Sequence, residues 1–219
     1  MAVFTVSRGS GIDAELLLRS YANHHNMTIF SQEIFKEVAK ISHQPIDEIK
    51  KMYDMDSFSS LKVFVAEMLQ SFGRAGAYPM PGAAMDSSYL TPYIVTDTNA
   101  DDAKSYVNAL NSIITAVAQK GNVFIIGRGA QCICANIPEC VHIRLVGEHE
   151  ACIGRIKQQL SITAEEAQHM FKKTEKNRAE YLEYFFNADI TDPSLYDAII
   201  NIDRCSQKCL EQLLDALSR

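Results

Sequence analysis

Ala2-Val3-Phe4-Thr5-Val6-Ser7-Arg8-Gly9-Ser10-Gly11 opens the chain, and the reading of this stretch decides the fold. Residues 2–6 are a short apolar, β-branched run of the kind that suits a buried strand. Ser7-Arg8-Gly9-Ser10-Gly11 ends it. Beyond the glycines, Ala14, Leu17, Leu18 and Tyr21 recur at helical spacing. Asp13 and Glu15 fall in the first turn, where acidic side chains favour the helix dipole. A glycine loop between a strand and a helix start lets backbone N–H groups face a phosphate, because no side chains crowd the approach.

Working outward, four more strands are legible: Met27–Phe30, Val123–Ile126, Val141–Val146 and Ala198–Ile202. A helix is predicted after each. Ser31 is placed to cap one whose core face is Ile34, Phe35, Val38 and Ile41. Residues 45–72 read as amphipathic helix in two pieces, with Leu61, Val65, Met68 and Phe72 as the clearest stripe. Residues 73–100 carry repeated Pro and Gly and read as either a long, mobile functional flap or a partly disordered segment. Asp101–Lys120 reads as a helix stopped by Gly121. Thr163-Ala164-Glu165-Glu166 has the capping-box form and opens a charged helix to about Phe186, and Ser206 caps the last one. Five apolar strands alternating with helices predict an α/β fold, a doubly wound five-stranded parallel sheet in three layers. Ligands of such sheets bind at the carboxyl ends of the strands.

Composition narrows the classes. The chain has 219 residues, 47% of them apolar, and a formal charge of −6, a balance that argues against a nucleic-acid binder. No apolar run approaches the roughly 20 residues that span a bilayer. Residues 1–7 show neither a basic lead nor a cleavage site, so the expected location is cytoplasmic. The six cysteines, Cys132, Cys134, Cys140, Cys152, Cys205 and Cys209, lack the paired C-x2-C spacing of zinc hooks. They read as reduced core residues, and no metal site is expected from them.

Three constellations carry chemistry. Gly9-Ser10-Gly11 follows the first strand, but a working P-loop, G-x4-G-K followed by Ser or Thr, supplies a lysine for the β- and γ-phosphates and a hydroxyl for Mg2+. Here Ile12, Asp13 and Ala14 stand in those places, and a carboxylate at Asp13 would repel a triphosphate. The second is Gly127-Arg128-Gly129, where an arginine leaves the third strand at the ligand-binding edge with a fork of donors suited to a phosphate. The third is the charged helix with Lys172, Lys173, Lys176 and Arg178, preceded by Arg155 and Lys157. Cations aimed at a transferring phosphoryl group are what its transfer requires. The plainer reading is a solvated face with i,i+4 partners among Glu175, Glu180 and Glu183.

Val123–Cys134 (VFIIGRGAQCIC), Glu175–Phe186 (EKNRAEYLEYFF) and Asp189–Arg204 (DITDPSLYDAIINIDR) together resemble the cytidylate-kinase-like family of P-loop proteins, the last stretch most specifically. The resemblance implies a nucleotide-kinase-like fold in a single domain over 1–219, with a helical acceptor-side insertion and flap at about 31–100 and a lid at about 155–192. It implies that Gly9, Ser10 and Gly11 form the phosphate loop with Arg8 beside it. Arg128 would touch the acceptor phosphate. Arg155 and Arg178 would reach donor phosphates, with Lys172 and Lys176 on the lid. The implied activity moves the γ-phosphate of ATP or another NTP, with Mg2+, to a nucleotide or other small phosphorylated acceptor. The rival reading, from Ile12, Asp13 and Ala14, is a non-catalytic nucleotide- or anion-binding module. Expected partners are small-molecule nucleotides, with no nucleic acid and no membrane; a homodimer is compatible with the apolar helix Asp101–Lys120.

Departures from the family pattern are specific. Relatives carry S-R-E-x-G-S-G-G-R, so this loop is two residues shorter and has Asp13 for the basic residue. Ser31 stands where relatives have an aspartate, Gly129 where cytidylate kinase itself has one, and Cys152 replaces an arginine common after the fourth strand. Cytidine specificity has no support in these residues.

Overall fold

The computed structural model describes residues 2–31, 111 and 114–218. The chain divides into two compact units, Met1–Ser31 with Ile114–Arg219, and Gln32–Ile113. The helix expected after Ser31, the pieces over 45–72, the flap over 73–100 and most of the helix over 101–120 lie outside the described residues.

The opening strand β1 (Val3–Arg8) sits at the centre of a five-stranded sheet because nearly all its residues are buried. A strand flanked on both sides and covered on both faces needs a continuous apolar run. The others are β2 (Thr28–Phe30), β3 (Val123–Ile126), β4 (Cys140–Val146) and β5 (Ala198–Asn201). Their order is β2-β3-β1-β4-β5 and every pairing is parallel. Val3 pairs with Val123 on one side and Cys140 on the other, which brings the carboxyl ends of β1, β3 and β4 together.

Helices α1 (Ala14–His24), α2 (Ala130–Ile133), α3 (His149–Leu160), α4 (Ala164–Phe186) and α5 (Gln207–Leu217) complete the unit, with residues 114–120 helical ahead of β3. Phe4 and Val6 point to one face of β1 and join Leu18, Tyr21, Phe124, Ile143, Leu210 and Leu214 in one core beneath α1 and α5. Burying each such side chain stabilises the fold by about 1.5–3 kcal/mol. Val3 and Thr5 point the other way, as the pleat requires, and are buried too. The Tyr21 hydroxyl donates to Asp215 Oδ1 at 2.9 Å and ties α1 to α5.

The lid region expected at about 155–192 contains the turn between α3 and α4. Ser161 ends α3 in a left-handed conformation, and the capping box of Thr163 with Glu166 starts α4 as its sequence pattern predicts. Ile153, Ile156 and Ala167 pack between the two helices.

The stretch Asp189–Arg204 is an anchoring device for β4 and β5. Asp189 Oδ1 accepts from the Thr191 backbone N–H at 2.8 Å, and Asp192 accepts from that of Ser194 at 2.8 Å. Asp197 accepts from the His142 N–H at 2.8 Å. Buried Arg144 donates to the Ile190 carbonyl and sits over the Tyr196 ring, 5.6 Å from its centroid. Burial holds the His142 ring below the usual imidazole range, against a smaller opposing pull from Asp197.

Half of the cysteines depart from the expected core reading. Cys134, Cys140 and Cys152 are buried, but Cys132 and Cys205 are half-buried and Cys209 is exposed, because the last two flank the solvent-facing start of α5.

Candidate functional site

The glycine loop lies between the carboxyl end of β1 and the start of α1, as the opening residues predict. Gly9 N–H donates to the Leu145 carbonyl at 2.9 Å, which ties the loop to β4. Gly11 has φ +73°, and a Cβ there would lie 2.4 Å from the Cys152 carbonyl oxygen. Only glycine serves both requirements. The Arg8 guanidinium folds over its own loop and donates to the Ile12 carbonyl at 2.8 Å.

The shortened loop turns the P-loop positions inward. Ile12 is 2% exposed and Ala14 1%, and both belong to the main core. The place of the lysine, directly after Gly11, is therefore filled with packed hydrocarbon, and Asp13 follows it in the place of the hydroxyl residue. Asp13 caps α1: its Oδ1 accepts from the Leu16 N–H at 3.0 Å.

The polar face of the loop meets α4. Glu175 Oε1 accepts from the Ser10 backbone N–H at 2.7 Å and from the Ser10 hydroxyl at 2.8 Å. Arg178 Nη1 donates to the Arg8 carbonyl at 3.0 Å and to Ser10 Oγ at 3.3 Å, and lies 3.4 Å from Glu175 Oε1. Glu175 and Arg178 are three residues apart and so share the inward face of α4. Lys172 and Lys176 fall on its exposed face, and Lys176 lies 3.6 Å from Glu180 in an i,i+4 pair.

Arg155, on α3, clasps the loop from the other side. Its Nε donates to the Gly11 carbonyl at 2.8 Å, and its two terminal nitrogens reach Asp203 Oδ1 at 2.6 Å and Oδ2 at 3.1 Å. Asp203 also accepts from the Glu148 N–H at 2.7 Å. The Arg155 hydrogen bond holds the Asp203 carboxyl below its usual range, and Asp203 in turn raises Arg155. Cys152 Sγ accepts from Arg155 Nη2 at 3.1 Å. A Cβ on Gly147 would come within 2.8 Å of that sulfur and 2.7 Å of Arg155 Nη2, so only glycine fits at 147 beside this cluster. Burial raises the Cys152 thiol, which Arg155 partly offsets.

Arg128 follows β3 at the same edge. Gly127, Arg128 and Gly129 have φ of 79°, 62° and 69°, three successive left-handed residues. For the arginine this costs about 1–2 kcal/mol, and strain of this kind gathers at ligand sites. The Gly127 N–H donates to the Val6 carbonyl at 2.9 Å, which sets the turn beside β1. A Cβ on Gly129 would lie 2.2 Å from the Phe186 ring. The ring thus excludes the aspartate that the family resemblance leads one to expect there. Ser31, the other such position, ends β2 and donates to Glu15 Oε2 at 3.0 Å.

The structure brings Arg8, Gly9, Ser10, Gly11, Arg155 and Arg178 together around one loop. Lys172 and Lys176 stand outside these contacts. Of the two carboxylates that hold that arrangement, the sequence offers Glu175 only as a partner on a solvated face, whereas it turns inward to Ser10, and it gives Asp203 no role. The one available signal was the i,i+3 spacing of Glu175 and Arg178 on a helix expected to cover the site. Among the described residues, no group of three or more His, Cys, Asp or Glu is placed to hold a metal ion. None of the described helices is long and apolar enough to cross a membrane.

Comparison with known proteins places this site in context. The sequence profile of the cytidylate kinase-like family matches residues 3–204. The crystal structure of an uncharacterized protein from Eubacterium ventriosum ATCC 27560 aligns over 99% of this chain and 97% of its own, at 18% identity and a TM-score of 0.61, a likeness of fold. Shikimate kinase from Bacteroides thetaiotaomicron aligns over the same shares at 13% identity and a TM-score of 0.49. Dephospho-CoA kinase from Campylobacter jejuni does so at 14% and 0.36. No curated protein matches the sequence.

Proposed function

We infer the function from the family and the site together: the chain belongs to the cytidylate kinase-like family, and we propose that it transfers a phosphoryl group from a nucleoside triphosphate to a nucleotide or other small phosphorylated acceptor. One observation carries the reading. The Ser10 N–H, the Ser10 hydroxyl and Arg178 converge on a single anionic oxygen at the carboxyl end of the central strand. Convergent donors of this kind are what a donor phosphate needs.

Phosphoryl transfer asks the protein for position and positive charge. In this proposal Ser10 holds a donor phosphate oxygen and Arg178 neutralises it. Arg128 holds the acceptor phosphate from the end of β3. Arg155, with its guanidinium engaged by Asp203, fixes the loop's shape. Lys172 and Lys176, exposed on α4, draw the polyphosphate toward the site. Mg2+, which the family implies, finds no fit in the loop itself: Asp13 stands in the hydroxyl's place but is engaged in capping α1, and Ala14 beyond it is buried. Magnesium would arrive on the nucleotide, and the chain's own contribution is cationic. Loss of one such preorganised group typically costs about 100- to 1,000-fold in rate, so turnover is slow.

A panel of nucleoside monophosphates with ATP and Mg2+ tests the proposal, with product formation as readout. Arg128→Ala is expected to lower transfer by at least tenfold, on the scale of a lost charge-assisted phosphate contact. No product from any pair, with Arg128→Ala indifferent, would overturn it. The buried Ile12 and Ala14 favour a second reading, a nucleotide- or anion-binding module without turnover. Magnesium-independent ATP binding with no product would select it.

A further inference from the structure

The tripod of donors on the loop is already filled. The anion it holds is Glu175, a carboxylate of the same chain, 165 residues from Ser10 in sequence. Its Oε1 takes both the N–H and the hydroxyl of Ser10. Arg178, which also donates to the Arg8 carbonyl of the loop, lies 3.4 Å from the same oxygen. A phosphate oxygen drawing on these donors has to displace it. The Glu175–Arg178 pair is only partly sheltered, 33% and 27% exposed, whereas Ser10 beneath it is 2% exposed, so an anion reaches the Ser10 donors by taking the place of Glu175.

We propose that Glu175 is an internal competitor for the phosphate loop, setting its affinity for polyphosphate and coupling ligand entry to withdrawal of α4. The inference rests on the loop being an anion site, though not on transfer taking place. In the closed arrangement Ser10 and Arg178 are satisfied by the carboxylate. When a polyphosphate enters, the loop donors pass to it, and like-charge repulsion expels Glu175 from the loop. Because Glu175 shares the inward face of α4 with Arg178, its departure shifts that helix relative to the loop. Arg178 can stay with the anion while Glu175 cannot. The apparent affinity is then the intrinsic one reduced by the fraction of molecules in which the loop is open.

A merely structural role for Glu175, pinning α4 to the loop, makes a different prediction. Removing a pin lowers stability and leaves anion binding unchanged or weaker. Removing a competitor lowers stability while tightening anion binding, and these opposite movements are the signature. The full chain is titrated with inorganic pyrophosphate by calorimetry as wild type, Glu175→Ala, Glu175→Gln and Glu180→Ala, with thermal melts alongside. Glu180→Ala removes the same charge from the outer face of α4, where Glu180 lies near Lys176. With the loop closed in nine molecules of ten or more, Glu175→Ala binds pyrophosphate at least about tenfold more tightly. Glu175→Gln, which keeps the size and loses the charge, falls between, and Glu180→Ala stays within about twofold of wild type.

The proposal is overturned if Glu175→Ala binds no more tightly than wild type, or if Glu180→Ala tightens binding equally. Should Glu175→Ala unfold, Glu175→Gln carries the same test. If the Glu175 variants bind more tightly yet no protein transfers phosphate, the competitor stands and the transfer reading falls. If wild type transfers phosphate and the Glu175 variants bind no more tightly, the reverse holds.

Discussion

Replacing Asp203 by alanine isolates the clasp that shapes the loop. The substitution removes both acceptors of the Arg155 terminal nitrogens, at 2.6 and 3.1 Å, and the acceptor of the Glu148 N–H at 2.7 Å. A hydrogen bond to a charged group contributes about 1.5–3 kcal/mol, and breaking a fully buried pair costs about 3–5. Arg155 is 30% exposed and Asp203 18%, so solvent recovers part of that. A loss of about 2–3 kcal/mol is expected, or roughly 4–12 °C in Tm for a chain of this size. The pH dependence follows from the depressed Asp203 carboxyl. A group whose folded pKa lies below its unfolded one stabilises the fold wherever it is ionised, and that contribution is lost as pH falls through the folded value. The gap between wild type and Asp203→Ala should therefore be level from pH 5 to 8 and narrow only below about pH 4. Urea titrations at several pH values measure it. Equal stabilities at pH 7, or a gap that widens on acidification, would refute the clasp.

Two further substitutions test how the loop is built. Ile12→Lys restores the lysine that working P-loops carry, but places an ammonium in the main core; it should cost roughly 3–6 kcal/mol, and a thermal melt with a transfer assay should show lower stability and no gain in activity. Gly129→Asp should lose at least about 2 kcal/mol through overlap with the Phe186 ring and the left-handed backbone. In a double-mutant cycle, Phe186→Ala should recover about 1–2 kcal/mol of that loss, whereas simple additivity would mean the ring is not what excludes the aspartate.

All five strands were legible because each is a short apolar run, and those at the sheet centre are buried on both faces, so local hydrophobicity and tertiary position agree at Val3–Val6 and Val123–Ile126. The capping boundary at Thr163 was legible for a similar reason: its chemistry is contained within four residues. Glu175 and Asp203 were not. The spacing in EKNR puts Glu175 and Arg178 on one helix face, but that one carboxylate reaches Ser10 and the other, in IDRC, Arg155 depends on where α3, α4 and β5 fall around the sheet. Asp13 shows the converse. Its charge suggested conflict with a triphosphate, whereas its position three residues before Leu16 makes it a helix cap. Strand order likewise followed from packing, and periodicity carried no information about it. The stretch Asp189–Arg204 ties down β4 and β5 through Asp197 and Tyr196, and supplies the site with Asp203.

A crystal structure of the full chain with a bound nucleoside triphosphate is the most direct test of a phosphate site built on Ser10 and Arg178. The expected result is a phosphate oxygen on the Ser10 N–H and hydroxyl, Arg178 beside it, and Glu175 withdrawn from the loop. A nucleotide bound elsewhere, with Glu175 still on Ser10, would contradict it.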